Sequence, residues 1–273
     1  MNVGTVLLPD LGTGDVPHSA RCIGFSKHVS TPMRRRELPS SYLTLIVGLG
    51  DPLVLVGRDE GGNRRVSSFV SGLQNESAVT ERHGLQRGVH IELPPLAAYT
   101  LIGAPISELT DQLVDLSSIL GKGTADLVDA LASARNWRDA FGELRATLVG
   151  RMARGPRPTP AVGWVWQQLR ATRGSARIDE LVRQTGVSHR HLAARFREQV
   201  GMTPKAYARV LRFEHSLTLL RRGGPSLASV AAAAGYYDQS HLNRDFQAMA
   251  ASSPRTFLRD RSSFSKTVRA VGT

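Results

Sequence analysis

One pattern of apolar residues and glycines occurs twice in the last third of this 273-residue chain. Each copy reads as a short helix, a glycine-containing turn, a longer helix with a Leu–Phe pair, and a Thr-Pro or Ser-Pro step that begins another helix. The one-residue change in spacing between the copies falls in the turn, where an insertion is tolerated. The matched positions are Ile178, Leu181 and Gly186 with Leu227, Val230 and Gly235, 49 residues later, and Leu192, Phe196, Pro204 and Tyr207 with Leu242, Phe246, Pro254 and Phe257, 50 residues later.

The segment 204–222 between the copies is too long to be a turn. Its apolar residues, from Tyr207 to Leu220, keep a helical rhythm, and Gly223-Gly224-Pro225 ends it. The sequence therefore predicts one rigid helix that joins two helix-turn-helix units.

The charge of the chain is divided unequally. Residues 1–150 hold 14 Lys and Arg against 16 Asp and Glu, whereas residues 151–273 hold 21 against 7. The excess positive charge lies in the part that carries the repeat, which indicates a polyanionic partner for that part. No signal-peptide pattern and no apolar run near the length of a membrane span is present, so we expect no membrane partner and a cytoplasmic location, at the nucleoid.

Residues 177–260 resemble the DNA-binding region of AraC/XylS-type transcription regulators. The resemblance lies in SHRHLAARFREQVGMTPKAYARVLR in the first copy and in GYYDQSHLNRDF followed by SP in the second. It implies an all-α domain of seven helices, with two recognition helices in successive major-groove segments of double-stranded operator DNA. It also implies recruitment of RNA polymerase and favours an activator.

The resemblance also suggests which side chains contact DNA. In the first copy, Ser188 caps the recognition helix and Arg190 reads bases, with His189 or Arg195 on phosphates. Relatives often carry Arg where this chain has Ala194, so we expect sharper discrimination from the second copy. There the family's contacting positions hold Gln239, Ser240, His241 and Arg244. Gln can pair with adenine and Arg with guanine.

Several other residues have an alternative to base contact. For Arg244 the alternatives are a phosphate contact or an ion pair with Asp238 or Asp245, and we expect His191 to be packed within its copy. Ala251 stands where relatives often have Gly, which predicts a mildly strained left-handed turn. Four further arginines are expected to position phosphates or to be solvated: Arg209, Arg212, Arg255 and Arg259.

Residues 1–152 predict an α+β domain, with a small β-barrel or cupin-like set of strands followed by helices. Strands are expected at 42–47, 53–56, 67–73 and 89–93, and helices at 109–120, 124–134 and 137–152. The proline-rich stretch 153–160 predicts a linker, 161–262 the DNA-binding domain, and 263–273 a tail. The first domain is expected to sense a small molecule, to hold a homodimer through its helices, or both.

Three other functions compete with a sequence-specific regulator. A cupin-type metal enzyme would use His83, His90, Glu81 and Glu92, but no His-x-His pattern is present, so we expect a solvated strand face, no metal and no cofactor. An alkyl-transfer repair protein needs a multi-Cys zinc site, whereas Cys22 is the single cysteine and is expected to be an inert, semi-buried thiol. An architectural DNA-binding protein would not need residues 1–152. The sequence therefore predicts a DNA-binding regulator rather than an enzyme.

Overall fold

The computed structural model describes residues 4–7, 20–57, 62–223 and 226–264. Within them, the first half of the chain forms one nearly closed antiparallel sheet of eight strands in the order β1-β2-β7-β3-β6-β8, with β4 joined to β5 and β7. The strands are β1 Gly4–Leu7, β2 Arg21–Glu37, β3 Leu43–Gly48, β4 Leu53–Val56, β5 Arg64–Val66, β6 Phe69–Ser71, β7 Ala78–Leu93 and β8 Leu113–Asp115.

The long strands β2 and β7 hold the sheet together. They pair along most of their length, from Arg21 opposite Glu92 to Glu37 opposite Ala78, with a bulge between Val29 and Met33. The second half of β7 also pairs with β3, and its first half with β4. Strand β7 thus has β2 along one edge and β3 and β4 along the other, and a bulge of the kind in β2 favours a curled sheet.

Four helices follow or flank the sheet: α1 Pro95–Ile102, α2 Leu116–Leu120, α3 Gly123–Ser133 and α4 Trp137–Met152. Cys22, Leu45 and Ile91 lie on one face of the sheet, are almost fully buried, and belong to the same core as these helices. The indole of Trp137 lies against Gly24, where a Cβ would come within 2.4 Å of the ring. The sheet and helices form the α+β fold that the sequence predicted.

The helix predicted over 109–120 is wrong in its first part. Ile106–Leu109 is a short 3-10 helix, Asp111 has a φ of 59°, and Val114 pairs with Val70 at the edge of the sheet. Apolar residues at this spacing are compatible with a half-buried strand as well as with a helix. Pairing with β6 favours the strand here. The helices predicted at 124–134 and 137–152 are confirmed within one residue.

The described part of the second half forms seven α-helices: α5 Pro160–Ala171, α6 Ile178–Thr185, α7 His189–Val200, α8 Pro204–Arg221, α9 Leu227–Ala233, α10 Gln239–Ala250 and α11 Pro254–Arg259. A 3-10 helix, Arg261–Ser263, follows them. The long α8 is the connecting helix expected from the sequence. Of the segment predicted to end it, Gly224 and Pro225 lie outside the described residues, as do residues 265–273 of the predicted tail.

The two halves share a polar contact at the loop between β2 and β3. The Glu214 carboxylate oxygen Oε1 accepts hydrogen bonds from the Ser41 backbone N–H at 2.9 Å and from Ser40 Oγ at 3.2 Å. The Tyr207 hydroxyl, which accepts from Trp166 Nε1, donates to the Ser41 carbonyl at 3.2 Å. We call this set the interdomain contact; it fixes α8 against the sheet.

Candidate nucleic-acid interface

The first helix-turn-helix unit consists of α6 and α7. Gly186 ends α6 in the left-handed conformation with a φ of 70°, a position that favours glycine. Ser188 caps α7 by accepting a hydrogen bond from the His191 N–H at 3.3 Å. Leu192 and Phe196 are buried, so the opposite side of α7 faces outward.

The second unit, α9 and α10, repeats this arrangement. Gly235 has a φ of 79°, and Asp238 accepts from the His241 N–H at 2.7 Å. Leu242 and Phe246 are fully buried. The Phe246 ring contacts that of Phe213 on α8 edge-to-face, with 5.1 Å between centroids. The Phe196 ring on α7 lies 6.0 Å from the Tyr207 ring on α8, so both recognition helices pack against the single helix α8.

On α10 the predicted contact residues do not all share one face. Because successive residues turn by about 100°, Ser240 and Arg244 project from the exposed side of the helix, whereas Gln239 lies at the edge of that side and is half-buried. Ser240 and Arg244 are exposed, and within the described residues Arg244 has no carboxylate partner. The imidazole of His241 packs at the flank instead, edge-to-face on Tyr236 at 5.1 Å.

The alternative of an ion pair between Arg244 and Asp238 or Asp245 is not found among the described residues. Asp238 caps the helix, and the buried Asp245 pairs with Arg209. The exposed side of α10 includes two residues that the sequence argument missed, Asn243 and Gln247. Asn243 lies four residues after Gln239, and Gln247 lies three residues after Arg244. This helical spacing in the sequence could have indicated both residues.

On α7 the exposed side holds His189, Arg190 and Ala194, together with Arg197, which the sequence argument also missed. The His189 imidazole lies 3.7 Å from Asp179 on α6. Arg195 projects from the flank, and its Nη1 lies 2.8 Å from the Glu198 carboxylate.

His191 is exposed, so the expectation that it is packed is wrong. With Arg195 and Trp164 it lines an open cleft of about 500 Å³ between α5 and this unit.

The four supporting arginines fall into two pairs. Arg209 and Arg212 are half-buried: Arg209 binds Asp245, and Arg212 donates to the Gly174 carbonyl at 2.8 Å. Arg255 and Arg259, by contrast, are exposed and have no carboxylate partner within the described residues. Only the second pair is free to contact phosphates without losing an internal contact.

Ala251 ends α10 in the left-handed conformation, with φ 46° and ψ 39°. The corresponding end of α7 is Gly201, with a φ of 100°. The predicted left-handed turn is present, and alanine adopts it at a cost that glycine avoids.

The expected solvated strand face is wrong for Glu92, whereas His83 is exposed and Glu81 and His90 are partly exposed. Glu92 is 2% exposed, with Arg21 at 3.9 Å. Burial lowers the pKa of His90 to about 4, against an opposing effect of Glu37, while Arg82 and Arg21 lower it further. Within the described residues, no three His, Cys, Asp or Glu side chains are grouped as metal ligands.

Cys22 is fully buried in the core, and burial raises the pKa of its thiol to about 12. A thiol in this environment is unreactive, because the thiolate is the nucleophile. No helix in the described part of the chain combines the length and apolarity needed to cross a membrane.

Comparisons with known proteins agree with the geometry of the two units. Residues 181–260 match the family described as "Helix-turn-helix domain". The C-terminal domain is an AraC-type helix-turn-helix domain. Over 83 residues, the chain is 28% identical to the HTH-type transcriptional regulator MtrA of Neisseria gonorrhoeae. That alignment covers 30% of this chain and 28% of MtrA.

Two solved structures are also similar. ToxT from Vibrio cholerae O395 is 10% identical, with a TM-score of 0.46 over 88% of this chain and 97% of ToxT. The C-terminal domain of AraT from Geobacillus stearothermophilus is 19% identical, with a TM-score of 0.37 over 42% of this chain and 96% of that domain. MtrA is named as a transcriptional regulator, which agrees with the AraC-type domain rather than with the enzyme alternative.

Proposed function

We propose that this protein is a sequence-specific regulator of transcription whose helices α7 and α10 enter successive major-groove segments of double-stranded DNA. The observation that carries the proposal is that both helices present an exposed polar side while their apolar sides are fixed to α8. The strongly basic balance of residues 151–273 supplies the attraction to phosphates.

The exposed sides suggest a division of roles. Gln239 and Arg244 read bases in one segment, with Ser240 beside them, and Arg190 reads bases in the other. Ala194 can contact only a thymine methyl group, so the first segment is read less sharply. Ser188 and His189 lie at the edge of the first helix, and Arg255 and Arg259 bind phosphates. Arg209, Arg195 and His241 act by positioning, through Asp245, Glu198 and Tyr236.

The test is selection of duplexes from a random pool by the full-length protein, followed by affinity measurements on the selected duplex and on a scrambled version. A regulator is expected to enrich one sequence, to bind it far more tightly than the scrambled duplex, and to lose affinity steeply with salt. Equal binding to both duplexes would instead identify the architectural alternative.

A second proposal concerns the sheet, which we infer binds a small polar effector. His90, Glu92 and Thr44 lie on the face opposite the helices, and the charges of Glu37, Arg82 and Arg21 act on His90. The buried His90 Nε2 has no hydrogen-bond partner within the described residues. A buried, neutral imidazole nitrogen in this state is suited to a ligand hydroxyl or carbonyl.

The effector is tested by a thermal-shift screen of small hydroxylated and carboxylated metabolites on the wild-type protein and on His90→Leu. A compound that raises the melting temperature of the wild type but not of the variant supports the site. A protein that no compound stabilises, or metal in stoichiometric amount in the purified protein, counts against it.

The interdomain contact offers a route from the effector to DNA, since Ser40 and Ser41 follow β2 and hold Glu214 on α8. Activation through RNA polymerase is the direction that the AraC-type domain favours, and in vitro transcription from a promoter with the selected duplex tests it. Most apolar residues of α2 and α4 are buried within the chain, although Val149 on α4 is 40% exposed, so a homodimer would use mainly other surfaces.

A further inference from the structure

The turn of the second unit contains the most exposed large apolar side chain among the described residues. Tyr237 is 95% exposed, whereas Leu85 and Val149, the other exposed large apolar side chains there, are 42% and 40% exposed. An aromatic side chain left almost entirely in water contributes nothing to the core, and aromatic residues are enriched where proteins bind partners.

Tyr237 is also the extra residue that separates the two repeats. The first turn runs from Gly186 through Val187 to the cap Ser188, and the second from Gly235 to the cap Asp238 with two residues between. Both glycines have a left-handed backbone, and each cap side chain accepts a hydrogen bond from the backbone N–H three residues later. The two ends of one turn therefore correspond to the two ends of the other.

Within these turns, Val187 packs against the core, as does Tyr236, which is 4% exposed. The unmatched residue is therefore Tyr237, and the first unit has no counterpart.

The backbone on either side of Tyr237 is fixed. The Tyr236 N–H donates to the Ala231 carbonyl at 2.9 Å, and its ring contacts that of His241. On the other side, Asp238 caps α10. The position of Tyr237 is thus preorganised, which reduces the entropy lost when its side chain forms a contact.

We propose that the Tyr237 hydroxyl donates a hydrogen bond to a backbone phosphate at the edge of the groove entered by α10. This inference rests on the proposed function and adds a positioning residue to it. Tyr237 precedes the N-cap, so it stands outside the side of α10 formed by Ser240, Asn243 and Arg244. In helix-turn-helix docking the start of the recognition helix is close to the DNA, and tyrosine is among the side chains that bind phosphates there.

The contact serves only the second segment, because the first turn lacks the extra residue. It fixes the register of the helix that carries Gln239 and Arg244 without reading sequence itself. It also involves no charged side chain, so it leaves the salt dependence of binding unchanged.

The test uses the duplex selected from a random pool, with single uncharged methylphosphonates placed at each phosphate in turn. Wild type and Tyr237→Phe, which removes only the hydroxyl, are compared by fluorescence anisotropy. We expect Tyr237→Phe to bind about tenfold more weakly, on the selected and the scrambled duplex alike. One methylphosphonate in the second segment should weaken the wild type but not the variant, and every position in the first segment should affect both proteins equally.

Other outcomes separate this inference from the proposed function. If the wild type selects a duplex and Tyr237→Phe binds it equally well, the phosphate contact is wrong while the proposed function stands. If the loss depends on a base pair rather than on a phosphate, Tyr237 is a reader and the inference is equally wrong. If the wild type enriches no duplex, both proposals fail. Because Tyr237 is exposed, Tyr237→Phe should fold as the wild type does. An unchanged melting temperature would verify this.

Discussion

The guanidinium Nε of Arg209 lies 2.8 Å from the carboxylate oxygen Oδ1 of Asp245. Arg209 belongs to α8, and the side chain of Asp245, on α10, is only 6% exposed. The pair connects the long helix to the second recognition helix, one residue from Arg244. An arginine that the sequence suggested for phosphates therefore helps to hold a base-reading helix in place.

Replacing Arg209 with Ala should leave the buried carboxylate of Asp245 without its partner. We expect the free energy of unfolding to fall by about 2–3 kcal/mol, less than for a wholly buried pair because Arg209 is partly solvated. Urea denaturation measures this, with Arg255→Ala as an exposed control that should leave stability unchanged. The double variant Arg209→Met, Asp245→Leu should recover most of the loss. Weaker DNA binding at unchanged stability would make Arg209 a phosphate contact only.

The sequence predicted the C-terminal half well because its information is local. Glycine turns, caps and Leu–Phe pairs define each helix within a few residues of chain. The burial of Asp245 could not be predicted, since it depends on Arg209, which is 36 residues away. The pairings of β6 with β8 and of β2 with β7 are also distant in sequence, so strand β8 was taken for helix and the burial of Glu92 was missed.

Glu214 makes the interdomain contact dependent on pH. Burial raises the pKa of its carboxyl, against the hydrogen bonds from Ser41 and Ser40 and the charge of Arg170. A raised pKa in the folded protein means that the stabilising form is the protonated one. Its contribution is complete below about pH 4.5, the ordinary value for a glutamate, and is lost as the pH rises through the folded value.

Glu214→Gln keeps the oxygen that accepts both hydrogen bonds and removes the charge. Its free energy of unfolding should match that of the wild type at acid pH and exceed it near neutrality. Glu214→Ala should be less stable by about 1–3 kcal/mol, because the Ser41 N–H loses its acceptor. Denaturation curves between acid and neutral pH measure both, with the exposed Glu180→Gln as control. Parallel pH profiles for wild type and Glu214→Gln would contradict the assignment.

Gly201 joins the end of the first recognition helix to the N-terminal half. Its carbonyl accepts from Thr110 Oγ1 at 2.6 Å, and an added Cβ would lie 3.0 Å from Ile106 Cγ2. Gly201→Ala should cost about 1–2 kcal/mol for the left-handed backbone and more for the crowded contact. Gly186→Ala is the matched control, since it is also left-handed but has nothing within 4 Å. Equal losses of stability for the two variants would mean that Ile106 moves away from the added methyl group without an energetic cost.

Ala251 predicts a gain in stability. Glycine accepts its φ of 46° without strain, so Ala251→Gly should raise the free energy of unfolding by up to about 1 kcal/mol. The same substitution at Ala248, an exposed position inside α10, should lower it by about 1 kcal/mol. Thermal or urea denaturation of the two variants should give opposite signs. A loss at both positions would show that the left-handed turn imposes no strain.

The roles of Arg244 and Arg259 can be separated by replacing each with alanine and measuring how the loss of DNA affinity depends on the DNA sequence. Arg244 lies on the exposed side of α10 without a carboxylate partner in the described part of the chain, whereas Arg259 lies at the end of α11. Arg244→Ala should cost about 1–3 kcal/mol on the selected duplex and little on duplexes altered at one base pair, because it removes a base contact. Gln239→Ala should do the same at a neighbouring pair.

Arg259→Ala should instead weaken binding to every duplex equally and reduce the slope of log affinity against log salt by about 1. The measurement is a matrix of protein variants against single-base-pair duplex variants, at several salt concentrations. Ala194→Arg extends it, since an arginine at the matching position of the first unit should add discrimination in the first segment. A uniform loss for Arg244→Ala across the matrix would assign Arg244 to phosphate, and the base reading of α10 would then depend on Gln239, Ser240 and Asn243.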